Sequence, residues 1–258
     1  MTALIEAHDL RVGYPGRVVG EGLSVALGTG EVLALLGPNG GGKTTLLKTL
    51  LGLLRPLAGR VWLDGRPLHE WPLPERARRV AYVPQGQAGT FGYSARQMVL
   101  MGRTAHLGLL ARPTPQDEAI AASVLERLGI AHLAERSVHD MSGGERQLVL
   151  IARALAQQPR AILLDEPTAS LDFGNQGMVI EAIRGLADQG LAVMFTTHDP
   201  NQALRCADRA TLIRGGRVLA AGPAAEVIDE ARLVALYGAP VWQVASPRGA
   251  VFLPGSAG

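Results

Sequence analysis

Gly37-Pro38-Asn39-Gly40-Gly41-Gly42-Lys43-Thr44 decides the fold, because its spacing, G-x-x-x-x-G-K-[ST], marks a loop that wraps phosphate. Val32 to Leu36 is an unbroken apolar run in front of it, and Lys43-Thr44-Thr45-Leu46-Leu47-Lys48-Thr49-Leu50 reads as a helix with one buried face. The order is strand, glycine loop, helix. Small residues let successive backbone N–H groups turn toward an anion, and the helix N-terminus adds its positive dipole end. Lys43 then reaches the terminal phosphates, and the Thr44 hydroxyl is placed for Mg²⁺. The G-x-G-x-x-G spacing of dinucleotide folds is missing from this loop.

Two further apolar runs lie downstream. Ala161 to Leu164 ends at Asp165 and Glu166, and Leu191 to Phe195 ends at Thr196, Thr197 and His198. Runs without polar alternation suit strands covered on both faces, which predicts a parallel α/β sheet. The polar residues sit where each run stops, at the carboxyl edge where such sheets bind ligands. Of the two carboxylates Asp165 and Glu166, one suits Mg²⁺, directly or through its waters, and its neighbour suits orienting or deprotonating the water that attacks a γ-phosphate. Taken without the loop, an Asp-Glu pair before Pro167 also reads as a turn or a helix cap. Ser142-Gly143-Gly144-Glu145 opens another helix and fits a capping box, although two glycines in a first turn also suit close backbone approach to an anion.

Composition narrows the classes. The 258 residues allow a core of their own, and the single cysteine, Cys206, excludes an internal disulfide framework or a thiolate-rich metal cluster. A formal charge of +2 is too small to argue for a nucleic-acid partner. The N-terminus has neither the basic start nor the apolar stretch of a secretory signal. The longest run without Asp, Glu, Lys or Arg, Val80 to Ala95, contains Pro, Gln and several Gly, and predicts no membrane-spanning helix.

Between the first two apolar runs the chain changes character. Ile120, Val124 and Leu128 recur at steps of four and stop at Gly129, so residues 88–158 are expected to form a helical insert. Val61-Trp62-Leu63 before Asp64-Gly65 predicts a small antiparallel patch, Arg217 to Gly222 another short strand, and the segment after Tyr237 carries little pattern.

The phosphate loop, Met141-Ser142-Gly143-Gly144-Glu145-Arg146-Gln147 and Leu163-Leu164-Asp165-Glu166-Pro167-Thr168, in that order, resemble the ATP-binding-cassette ATPase family over roughly residues 4 to 235. The resemblance implies one ATPase domain over 1–258 with a P-loop, RecA-like parallel-sheet core (1–87 and 159–235), a small antiparallel β patch, an inserted helical subdomain (88–158) and a C-terminal tail (236–258). It implies two cassettes enclosing two ATP molecules, each held by the loop of one copy, Gly37 to Thr45, and by Ser142, Gly143, Gly144 and Glu145 of the other. Tyr14 matches the ring that stacks on adenine, and Gln85 the glutamine that meets Mg²⁺ and the transporter. Asp172 matches the loop crossing the dimer, and His198 the histidine near the γ-phosphate. The metal set so implied is Thr44, Gln85 and Asp165, and the catalytic set Glu166, His198 and Gln85. Met141 replaces the commoner leucine, a volume-conserving change, and Gly41 stands where serine or alanine is frequent.

Val99-Leu100-Met101-Gly102-Arg103-Thr104-Ala105-His106, Gly144 to Gln147 and His198-Asp199-Pro200-Asn201 resemble the stand-alone ATPases of importers for iron-siderophore, haem, cobalamin and related metal or oxyanion cargo. Pro200 departs from the leucine common there. The expected partners are a second copy of the chain, transmembrane permease subunits and, indirectly, an extracytoplasmic substrate-binding protein, with no nucleic acid. The expected place is the cytoplasmic face of the inner (plasma) membrane, reached through the permease. The alternative is a cassette ATPase outside transport, such as an iron-sulfur assembly partner.

Overall fold

A computed structural model describes residues 3–86, 92–108, 111–247 and 249–255. The expected start of the insert, Ala88, the middle of the spanless run Val80–Ala95, and Met1 and Thr2 of the N-terminus lie outside the described residues.

The chain opens with two long strands, β1 (Ala3–Tyr14) and β2 (Arg17–Gly28), then β3 (Val32–Leu36), which feeds the glycine loop and helix α1 (Lys43–Leu50). Strands β4 (Ala58–Leu63) and β5 (Arg66–Pro67) return to β1, giving an antiparallel sheet in the order β2-β1-β4-β5. This sheet is larger than the Val61–Leu63 patch the sequence suggests. Register shifts along β1 break the two-residue alternation that would have marked the strand.

Helix α2 (Leu73–Arg79) and strand β6 (Val80–Val83) lead to α3 (Ala95–Leu100), α4 (Pro115–Arg127) and α5 (Gly143–Leu155). Next come β7 (Ala161–Leu164), α6 (Phe173–Asp188), β8 (Ala192–Thr197), α7 (Pro200–Cys206), β9 (Arg209–Arg214) and β10 (Arg217–Pro223). They complete a second sheet in the order β10-β9-β3-β8-β7-β6. All its pairings are parallel except that of β10 with β9.

The apolar runs explain this layering. Val32, Ala34, Leu36, Ile162, Leu164, Val193 and Phe195 pack into the core on one face with α5 and α6. Leu33, Leu35, Ala161, Leu163, Ala192 and Met194 alternate into the core on the other, with α1 and the antiparallel sheet. A strand buried on both faces needs apolar residues at every position, which is why these runs carry no polar alternation.

The helices between residues 95 and 155 share one buried cluster with the first face of the sheet. Helix α4 begins at Pro115, five residues before Ile120 opens the sequence periodicity, because Thr114 and Asp117 form a capping box at its start. Arg103, in the 3-10 turn Met101–His106, is buried and donates to Asp117 Oδ1 at 2.8 Å, to the Ala156 carbonyl at 2.7 Å and to Gln158 Oε1 at 2.9 Å. It therefore pins that turn to α4 and to the end of α5. The neighbouring Gly102 lies so close to the Arg153 carbonyl that a Cβ would overlap it.

The Thr114 backbone amide, and then Arg103 and the Thr114 hydroxyl, pull the Asp117 carboxyl down to about 2. An unfolded aspartate titrates near ~3.9, so the folded chain binds this proton less tightly. The stabilisation is full above that value and fades as pH falls toward 2. Thermal melts should show the advantage of the parent over Asp117→Asn holding from pH 7 to 5 and shrinking between pH 4 and 3. A constant advantage over that range would assign the effect to packing.

After β10 follow α8 (Ala224–Val227), α9 (Glu230–Tyr237) and a hairpin, β11 (Val241–Ser246) with β12 (Gly249–Pro254). The segment after Tyr237, unpatterned in sequence, thus contains a strand pair. Cys206, at the end of α7, is buried, and burial pushes its thiol up to about 12. Among the described residues no helix is long and apolar enough to cross a membrane.

Candidate phosphate-binding site

Strand β3 hands the chain to Gly37, whose N–H donates to the Thr197 carbonyl at 3.2 Å. The Ile213 carbonyl presses against Gly37 where a Cβ would sit, so only glycine fits. Gly42 caps α1 in a left-handed conformation (φ 95°), a backbone state that favours glycine. These two requirements turn the loop back over the start of α1. Leu46, Leu47 and Leu50 bury the other face of that helix in the core, which fixes its N-terminal amides toward the loop.

Lys43, the first residue of α1, is 4% exposed. Its ammonium donates to the carbonyls of Gly37 (2.7 Å) and Pro38 (3.0 Å) and lies 3.5 Å from Glu166 Oε1. Burial lowers its pKa, and the charges of Glu166 and Asp165 work in the opposite direction. Thr44 donates its hydroxyl to Asp165 Oδ1 at 2.9 Å. The start of α1 is thereby joined to the end of β7.

Asp165 is buried and also accepts from the Thr196 hydroxyl (2.8 Å) and from Tyr82 (3.4 Å). Burial, and then the Asp165 charge, push the Tyr82 phenol up to about 12, so it stays a donor. Glu166 adopts a left-handed backbone (φ 45°), with its N–H donating to Thr196 Oγ1 at 2.8 Å. Such a conformation is uncommon for a non-glycine residue. The Glu166 carboxylate meets Lys43, the Gln85 amide (3.5 Å) and His198 Nδ1 (3.2 Å). Three strand ends, at Gln85, Glu166 and His198, therefore meet at one carboxylate.

A cleft of about 400 Å³ opens above the loop. Its walls include Tyr14, Asn39, Gly40, Gly41, Gly42, Lys43, Thr44, Thr45, Gln85 and Glu166, all expected from sequence. Pro38 and Gly37 contribute the carbonyls behind Lys43, and Asp165 and His198 reach the cleft through Thr44 and Glu166. Arg17 and Val19 of β2 also line it and were not expected. Thr196, which in sequence marks only the end of an apolar run, holds both carboxylate residues.

The other expected residues form a second group. Ser142 Oγ accepts from Glu145 N (3.2 Å) and Glu145 Oε2 accepts from Ser142 N (2.8 Å), so the capping box is present. Asp172 caps α6 by accepting from Asn175 N at 2.8 Å. A Cβ on Gly144 would overlap the Asn175 amide, and one on Gly143 would lie 2.8 Å from Leu171 Cδ2. Within one chain these glycines admit the start of α6. None of Ser142, Gly143, Gly144, Glu145 or Asp172 lines the cleft over the loop.

The donors near Thr44 suit a hard cation, since the hydroxyl, the buried Asp165 carboxylate and the Gln85 amide are oxygen ligands. Among the described residues no three His, Cys, Asp or Glu side chains gather as a metal cluster. A cation held by so few protein oxygens completes its shell with water and phosphate, which is the habit of Mg²⁺.

The ABC transporter family pattern matches residues 21–169. The hemin import ATP-binding protein HmuV of Rhodococcus jostii (strain RHA1) is 42% identical over 244 residues, 94% of this chain and 82% of that protein. The molybdate import ATP-binding protein MolC of Haemophilus influenzae is 39% identical over 222 residues, 86% and 82% of the two chains. Among solved structures, a chain described as an inward-facing conformation of a metal-chelate type ABC transporter superposes with a TM-score of 0.87 at 34% identity. That match covers 99% of this chain and 98% of the other.

Proposed function

This chain belongs to the ABC transporter family, and on that premise we propose that it is the energy-coupling ATPase subunit of an importer for a metal chelate or a related metal or oxyanion. Its activity is ATP binding and hydrolysis, as in the family at large. The importer reading is carried by the extent of the likeness: a hemin import relative matches 94% of the chain, core and helical segment together. The molybdate and metal-chelate relatives widen the cargo to the class rather than to one molecule.

In this reading the amides of Gly40 to Thr45 and the Lys43 ammonium grip the β- and γ-phosphates, and Tyr14 packs against the adenine. Thr44 and Asp165, with Gln85, hold Mg²⁺, which supplies charge neutralisation at the phosphates. Glu166 accepts the proton of the attacking water, and His198, beside it, faces the γ-phosphate. Asp165 is already tied to Thr44, Thr196 and Tyr82, which leaves Glu166 as the carboxylate aimed at the cleft.

Ser142 to Glu145 and Asp172 complete the site from a second copy, so that ATP closes a homodimer and hydrolysis opens it. ATP can drive this change only by binding the closed pair more tightly than the open one. The helical segment moves with the Gln85 loop and passes the change to permease subunits, placing the chain peripherally at the cytoplasmic face of the membrane. A substrate-binding protein outside the membrane delivers the cargo.

Copurification of the tagged chain from solubilised membranes tests this proposal. A polytopic permease recovered with it is the expected result. Recovery from cytosol alone, with ribosomes or cluster-assembly proteins, would replace the importer with the non-transport reading.

A further inference from the structure

The C-terminal hairpin touches the chain next to His198. The Tyr237 hydroxyl, at the end of α9, donates to the His198 carbonyl at 2.8 Å. Three residues on, the Asn201 side chain exchanges two hydrogen bonds with the backbone of Phe252 in β12. Its Nδ2 donates to the Phe252 carbonyl at 3.0 Å, and its Oδ1 accepts from the Phe252 N–H at 2.8 Å. This amide imitates a strand partner and docks β12 at one residue. Phe252 itself is buried in the core.

The His198 ring is half-exposed and meets Glu166 through Nδ1, so its aim depends on how its backbone is held. On the upstream side Thr197 accepts from the Asp199 N–H and donates to Gln202. On the other side the holding groups are Tyr237 and, through Asn201, the hairpin. A cleft of about 490 Å³ runs between the His198–Asn201 segment and the hairpin, with Val241, Phe252 and Leu253 on its far wall. Tyr237 packs against the core, and burial raises its phenol, which keeps the hydroxyl in its donor form.

We propose that Tyr237 and Asn201 are positioning residues for His198, through which α9 and the β11–β12 hairpin set the rate of ATP hydrolysis without touching nucleotide. The proposal rests on the reading of His198 as the residue facing the γ-phosphate. Tyr237→Phe keeps the ring and its packing and removes the hydroxyl alone. Steady-state hydrolysis by the full-length chain should fall about fivefold in kcat, the rate equivalent of one neutral hydrogen bond. KM and the ATP dissociation constant should stay within about twofold, because the group acts on the transition state. Asn201→Ala should shift kcat in the same direction.

Repeating Tyr237→Phe in a His198→Ala background separates the two layers. With His198 gone, and residual turnover measured at raised protein concentration, the second change should have no further effect. An unchanged kcat for Tyr237→Phe, or an equal loss in both backgrounds, overturns the positioning role while leaving His198 in place. Normal turnover by His198→Ala removes the assignment of His198 itself, and the positioning role with it.

Discussion

Glu166→Gln is expected to lower ATP hydrolysis by about 10²- to 10⁴-fold, the range for losing a general base, while leaving ATP affinity intact. The amide is nearly isosteric and can still meet Gln85 and His198, but it cannot accept the water's proton. ATP affinity should not fall, because the phosphate grip belongs to the loop and Lys43. Turnover arrested with ATP still bound should also trap the closed pair. Size-exclusion chromatography is then expected to resolve an ATP-dependent dimer. Normal turnover by this variant would show that another group activates the water.

Lys43→Ala acts one step earlier. If Lys43 reaches phosphate as proposed, removing this buried ammonium costs about 1.5–3 kcal/mol per charged hydrogen bond, so ATP affinity should weaken by about 10- to 100-fold in a calorimetric titration. The lysine also ties the carbonyls of Gly37 and Pro38 and neutralises Glu166, so a lower thermal midpoint without nucleotide is part of the same expectation. Unchanged affinity would remove the loop from the phosphate site. The two variants separate binding from chemistry: one loses ATP, the other keeps it and cannot use it.

The phosphate half of the site is legible in sequence because its information is local. The loop needs glycine where Ile213 presses on it and where φ is positive, and eight consecutive residues carry that demand. The strand ends were legible for a related reason, since β7 and β8 are buried throughout and their first polar residues mark the carboxyl edge. Thr196 escaped notice as a holder because its partners, Asp165 and Glu166, are about thirty residues away, and nothing near it in the chain announces them. Arg17 and Val19 were missed likewise, as they reach the cleft from a strand of the antiparallel sheet.

The C-terminal hairpin was illegible for a different reason. Val241 and Phe252 are buried, but Trp242, Val244 and Leu253 on the opposite face are apolar too. With both faces apolar, the alternation that identifies a half-buried strand is absent. Ser142 to Glu145 stand between these cases. The capping box was readable and is present, while the fit of Gly144 against Asn175 depends on a helix that starts thirty residues later.

The sealed thiol of Cys206 has a practical corollary. Maleimide chemistry needs a thiolate at the surface, and this one is neither ionised at ordinary pH nor reachable. Fluorophores or spin labels can therefore be attached at cysteines introduced on the outside of the domain, with the native residue left where it is. Distances between two labelled copies would then test the proposed ATP-driven closure of the pair.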